Sequence, residues 1–150
     1  GLCLLAAACA RAQPPRELAG LWSAGQAPCT AGAGIRFDSD AIRMVYETDS
    51  ETVFDNPRYE VLSGGESFRV RIAYSMPHIA GGAREPGARG VLVLARGANG
   101  VLAPVTHNLI YGRTGAARAR LGEDPATRLL TLEPCGDHPW RRGLRGLSDS

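Results

Sequence analysis

No lysine occurs anywhere in these 150 residues; all 17 basic side chains are arginine. Set against 15 acidic residues, they leave a formal charge of +2. That is too weak a field to argue for a nucleic-acid backbone or an anionic membrane surface as the partner. The arginine bias reads either as phosphate or carboxylate recognition or as compositional bias, and the second is the simpler. Also missing are a nucleophile elbow, a phosphate loop and a zinc-protease helix. Ser23, Ser63 and Ser75 have no motif around them, and the acidic residues Asp49, Glu51 and Asp55 lack the spacing of a calcium loop. Catalysis and cofactor binding therefore have no support, and a binding role is what the chain is expected to have.

The first dozen residues differ from the rest. An apolar run over 2–10 ends in Ala10-Arg11-Ala12, a small-x-small processing site ahead of Gln13-Pro14-Pro15. Such a run is the hydrophobic core and cut site of a secretory signal, here without the basic leader that normally precedes it. It is too short to cross a bilayer. Residues 1–12 are read as a signal peptide shortened at its start, and 13–150 as a single domain, since the chain is too short for two cores. The expected destination is the periplasm or the outside. Cys9 follows three alanines, so a cut before Cys9 that leaves a lipid anchor is a second reading.

Export fixes the cysteine arithmetic. Only Cys29 and Cys135 remain after the cut, and two cysteines in an oxidising compartment pair in one way. An alternative joins Cys135 to His138 in a metal site, but the paired Cys-x-x-Cys spacing is absent and no metal is expected.

The residues 90–111 organise the remainder. They read as two strands folded back at Asn99-Gly100, a dipeptide suited to a tight hairpin. One face then carries Leu92, Leu94, Val101, Ala103, Val105, His107, Leu109 and Tyr111, and points to the core. Further strands are expected over 35–37, 41–47, 59–62, 68–75, 116–121 and 129–133. In 68–75 the residues Phe68, Val70, Ile72 and Tyr74 alternate with Arg69, Arg71, Ala73 and Ser75, the period of a strand with one wet face. Short helical turns are expected near 14–19 and at Asp124-Pro125. The segments 24–34, 48–58 and 76–89 read as loops. The expected fold is all-β: an antiparallel up-and-down barrel or barrel-like sandwich of about eight strands, with one or two short helical turns.

A simple meander alternates its connections between two ends. That count sends the turns at 38–40, 64–66 and 97–100 to one end and the connections at 48–58, 76–89 and 112–115 to the other. The second end also receives Cys29, Cys135 and all four tyrosines. Tyr46, Tyr59, Tyr74, Tyr111 and the deeper His107 become the candidate ligand-binding residues, able to stack on a ligand and to hydrogen-bond it. The competing reading is a barrel end plugged by tyrosines, with His107 as a hydrogen-bonded core residue.

At Gly20-Leu21-Trp22, after a short helical turn, the chain resembles the lipocalin-type barrels and the small secreted bacterial inhibitors of metalloproteases. The resemblance covers about six residues together with length and strand count. It implies a barrel with Trp22 packed across its closed end; the lipocalin Thr-Asp-Tyr signature has no counterpart here. The function expected is that of an exported, non-enzymatic protein binding a small, partly apolar ligand at the long-loop end. The alternative is a secreted protein-interaction module such as a protease inhibitor.

Overall fold

A pleated strand sends successive side chains to opposite faces, so strands form here where apolar and polar residues alternate. A computed structural model describes residues 9–76, 89–110, 117–119, 130–136, 138 and 140. Among them nine strands make one antiparallel sheet: β1 (Leu21–Ser23), β2 (Gly34–Phe37), β3 (Ala41–Val45), β4 (Ser50–Ser63), β5 (Arg69–Ser75), β6 (Arg89–Arg96), β7 (Leu102–Ile110), β8 (Ala117–Ala119) and β9 (Glu133–Pro134). Each pairs with the next through β8, while β9 lies beside β1. Leu132 then bridges to Leu102 at the start of β7, with N–H···O distances of 2.8 and 2.7 Å in the two directions. The sheet thus closes into a ring, and β8 pairs with the far half of β7. The described helical elements are α1 (Gln26–Thr30) and the 3-10 turns Arg16–Leu18 and Gly65–Ser67, and Trp140 is also helical. The all-β antiparallel fold expected from the sequence is the fold observed.

The interior is one apolar cluster. Leu18, Trp22, Ile42, Phe68, Val70, Ile72, Leu92, Leu94 and Leu102 are fully buried. β5 shows the alternation cleanly: Val70, Ile72 and Tyr74 point in, and Arg69, Arg71 and Ala73 point out.

Three expectations are corrected. The polar stretch 48–58 is not a loop: a tight turn at 46–49 leads into the 14-residue strand β4. Its acids Glu51 and Asp55 are exposed, and Asn56, at φ 48°, makes a bulge between Asp55 and Arg58 with Pro57 buried behind it. A bulge tolerates a proline that cannot donate to the ladder. In β7, Val105 is inserted between the rungs Leu94–Pro104 and Val93–Thr106. One extra residue flips every side chain beyond it. Leu102 therefore enters the core, while Val105, expected inside, is 37% exposed. Lastly, the 24–34 loop holds α1. The expected turn at Asp124-Pro125 lies outside the described residues, as do most of 76–89 and half of 116–121, whose residues 117–119 form β8.

These changes move the ends of the barrel. Ala41, Asp55, Ser75, Arg89 and Ile110 stand in one row across β3 to β7. The turn at 38–40, the connection after Ser75 and the chain after Ile110 therefore leave from the same row, not from opposite ends.

Cys29 and Cys135 are bonded, with Cα atoms 5.4 Å apart across 106 residues of sequence. The Cys135 amide also donates to the Leu21 carbonyl at 2.8 Å, so the bond ties α1 to the stretch that closes the ring. Replacing both cysteines by alanine should lower the thermal midpoint while far-UV circular dichroism keeps its β signature. The loop is long enough for a loss of up to ~4–5 kcal/mol. An unchanged midpoint would show that the unfolded chain is not constrained by this link.

Candidate functional site

Tyr74 and His107 meet in the core because of a glycine. Tyr74 pairs with Gly90, and Leu92, two residues further along β6, pairs with His107. The two side chains thus share the inner face with β6 between them. A Cβ on Gly90 would lie 2.2 Å from the Tyr74 ring carbon bearing the hydroxyl, so only a residue without a side chain lets the phenol cross β6. The Tyr74 hydroxyl then reaches His107 Nε2 at 2.5 Å. Phe54 covers the pair, its ring centroid 3.9 Å from that of Tyr74 and 5.8 Å, edge-on, from that of His107. Tyr74 and His107 are 3% and 1% exposed, so the pair belongs to the packed interior.

Tyr59 is also buried, and its hydroxyl donates to the Asp38 carbonyl at 2.8 Å. Burial holds this phenol well above its ordinary ionisation range, and the carboxylates of Asp38 and Asp40 push the same way. The turn that Tyr59 grips is itself braced. Asp38 accepts from Arg36 at 2.9 Å and from Arg43 at 2.8 Å, and Arg43 holds both oxygens of Asp40. That contact keeps the Asp40 carboxyl below its usual range.

Tyr46 stands apart. It follows Val45, at the end of β3 far from the row that carries Asp38 and Tyr74, and is 46% exposed. Its hydroxyl donates to Met44 Sδ at 3.0 Å. Of the expected group, the structure joins Tyr74 with His107, places Tyr59 separately under the 38–40 turn, and puts Tyr46 elsewhere. Tyr111 lies outside the described residues.

What the sequence reading missed is an apolar depression beside Tyr46. It measures about 160 Å³ and is lined chiefly by Trp22, Pro28, Ile35, Met44, Tyr46 and Leu132. Its floor is the close approach of β1 and β2, where a Cβ on Gly34 would lie 2.2 Å from the Trp22 carbonyl oxygen. Its wall is the segment between α1 and β2, held by the Cys29–Cys135 bond and by the Ser23 hydroxyl donating to the Ala33 carbonyl. The only sequence signal was a run of small residues around Cys29, which reads equally well as plain loop.

His138 is buried and oriented by the backbone. The Trp140 amide donates to its Nδ1 at 3.2 Å, so the ring proton is on Nε2, which donates to the Glu17 carbonyl at 3.1 Å. Cys135 is in the disulfide, so the alternative metal pair does not form; among the described residues no three His, Cys, Asp or Glu side chains cluster for a metal. Trp22 is sealed in the same corner. Its indole N–H donates to the Leu18 carbonyl at 3.1 Å, and its ring meets His138 and Trp140 edge-on at 5.1 and 5.4 Å. No described helix is long and apolar enough to cross a membrane. No family model, curated protein or solved structure matches this chain.

Two outcomes follow from these positions. Tyr74→Ala should cost about 3–5 kcal/mol, the scale of a core aromatic, and Gly90→Ala about 1–3 kcal/mol by displacing the same ring. Tyr46→Ala should change stability by less than about 0.5 kcal/mol, as an exposed site does. Equal losses for Tyr46 and Tyr74 in chemical denaturation would contradict this placement.

The second concerns alkaline pH. A phenol whose ionisation is raised on folding contributes stability that is complete below the unfolded value, about 10, and lost as pH rises above it. Ultraviolet titration of the native protein should show tyrosine ionisation delayed until the chain unfolds, and Tyr59→Phe should reduce that delayed amplitude by one phenol. A delayed amplitude that is undiminished in Tyr59→Phe would show that this phenol is not a source of it.

Proposed function

We propose that this chain is an exported, non-enzymatic binding protein that receives one apolar group of its partner in the depression beside Tyr46. The observation that carries the reading is the contrast between an interior filled by Phe54, Tyr74 and His107 and an open apolar hollow at the disulfide end. Small-molecule sites usually enclose about 300–1,000 Å³. A hollow of about 160 Å³ suits a single side chain rather than a whole ligand, which favours a secreted protein-interaction module. The export signal read in 2–12 and the disulfide support a periplasmic or external location. The residues best suited to chemistry are already engaged: His107 with Tyr74, His138 with Glu17 and Trp140, and Ser23 with Ala33.

One observation keeps a second reading, a small, partly apolar ligand. The Tyr46 hydroxyl at the rim is held only by a thioether, a weak acceptor that a ligand's oxygen can replace. Titrating isotope-labelled protein with N-acetyl-leucine amide, and separately with a medium-chain fatty acid, distinguishes the two. The peptide-like probe should shift the amide resonances of Gly34, Met44 and Tyr46, and Ala24→Trp, which fills the hollow, should abolish the effect without lowering the thermal midpoint. A response to the fatty acid alone favours the second reading, and shifts scattered away from Tyr46 would sink both.

A further inference from the structure

Strand β4 is shared unequally by its neighbours. β3 pairs with it only as far as Asp55, whereas β5 pairs with it from Asp55 to Ser63. Over 58–63 the side that β3 has vacated is touched, among the described residues, by a single backbone partner. Arg11 exchanges both hydrogen bonds with Tyr59, its N–H donating to the Tyr59 carbonyl and the Tyr59 N–H to the Arg11 carbonyl, each at 2.7 Å. In an antiparallel ladder a residue directs both backbone groups to one side and its neighbour directs both to the other. Val61 therefore presents its N–H and C=O to the same side as Tyr59, one rung further along. Beside this edge lies a cleft of about 370 Å³, bounded by Gln13, Pro14, Pro15 and Arg16 on one wall and Tyr59 and Val61 on the other, with Cys9 and Arg11 also lining it. The prolines have no N–H, so that wall cannot itself zip onto β4.

The segment paired with this edge is the stretch whose composition marks it for removal. A cut after Ala12 takes away Cys9 and Arg11 and leaves the two walls in place. It removes nothing from the core, every buried side chain of which lies at Leu18 or beyond. We propose that the edge of β4 over 58–63 is a strand-addition site for an extended segment of a protein partner, and that residues 9–12 fill it in cis until export processing vacates it. An edge strand with unpaired backbone groups is a template for such addition, with main-chain hydrogen bonds supplying the affinity. The incoming segment runs antiparallel to β4 and needs a residue other than proline opposite Tyr59. This surface is separate from the hollow beside Tyr46, so either can fail without the other.

The test starts with the N-terminus of the exported chain. Sequencing should read Gln13 first; a mature chain that retains Arg11 overturns the proposal. Amide hydrogen exchange at Tyr59 and Val61 is then compared in the chain starting at Gln13 and in the longer chain. The Tyr59 amide should exchange at least tenfold faster in the shorter form. A synthetic peptide of residues 6–12 carrying Cys9→Ser should restore the slow rate, and the same peptide with Arg11→Pro should not. Arg11→Pro placed in the longer chain opens the edge without truncation and should accelerate Tyr59 exchange alone, which separates loss of this rung from loss of folding. Slow Tyr59 exchange in the shorter form without peptide, or pairing of two shorter chains through this edge, would overturn it.

Discussion

β3 hydrogen-bonds to one half of β4 and β5 to the other, and the placement of nearly everything else depends on that offset. A strand of 14 residues spans more than one neighbour can match, so it carries the chain from one set of short strands to the next. The bulge at Asn56 and Pro57 lies at the handover, where the ladder changes sides. It lets a proline sit inside a strand, and the Asn56 amide is satisfied there by the Asp40 carbonyl at 3.0 Å. The same offset brings the turn at 38–40 against the middle of β4, within reach of the Tyr59 hydroxyl, and separates Tyr46 from Tyr74 by the length of β3. It also leaves the second half of β4 with a side that no later strand among the described residues covers.

Much of the fold was legible because period-two patterning survives where strands pair regularly. Phe68, Val70, Ile72 and Tyr74 were read as inward, and so they are. The Cys29–Cys135 bond was legible for a simpler reason, since only those two cysteines lie beyond the apolar run at 2–10. Bulges were not legible. Nothing in the side chain of Val105 announces that it will be the extra residue in its ladder, yet its insertion exchanges the inner and outer faces of β7 towards Leu102. The acidic, proline-containing composition of 48–58 argued for a loop because composition reports solvent exposure, and an outward strand face is exposed too. The tyrosine grouping inherited that error, since its ends were counted through a loop that does not exist.

The filled interior has its own logic. Tyr74 and His107 are polar residues in an apolar cluster, and a buried polar group left without a partner costs about 1–3 kcal/mol. Their mutual hydrogen bond offsets that cost, but β6 stands between their strands. Gly90 resolves the geometry by offering no side chain, and Phe54 then packs over the pair. A residue chosen for what it lacks thus decides whether this part of the barrel is a plug or a pocket. No pattern of alternation reveals this, because a glycine within a strand more often marks a bulge than a crossing side chain.

Closure of the ring is the thinnest part of the construction. Leu102 and Leu132 supply two backbone hydrogen bonds, and β9 adds two rungs to β1. A net contribution of about 0.5–1.5 kcal/mol per hydrogen bond makes that seam weak beside the ladders of β4 to β7. The disulfide reinforces it, since Cys135 follows β9 directly and its partner sits on α1. The hollow beside Tyr46 is built on this seam: Leu132, Trp22 and Ile35 all line it. A group bound there contacts residues brought together only when the ring is shut, so binding and closure stabilise one another by mass action. The disulfide, by holding the seam shut beforehand, would lower the ordering cost for the partner proposed above. On the proposed reading, the crosslink that staples this seam also preforms the hollow that would receive a partner's apolar group, so that a single pair of cysteines would serve both stability and recognition.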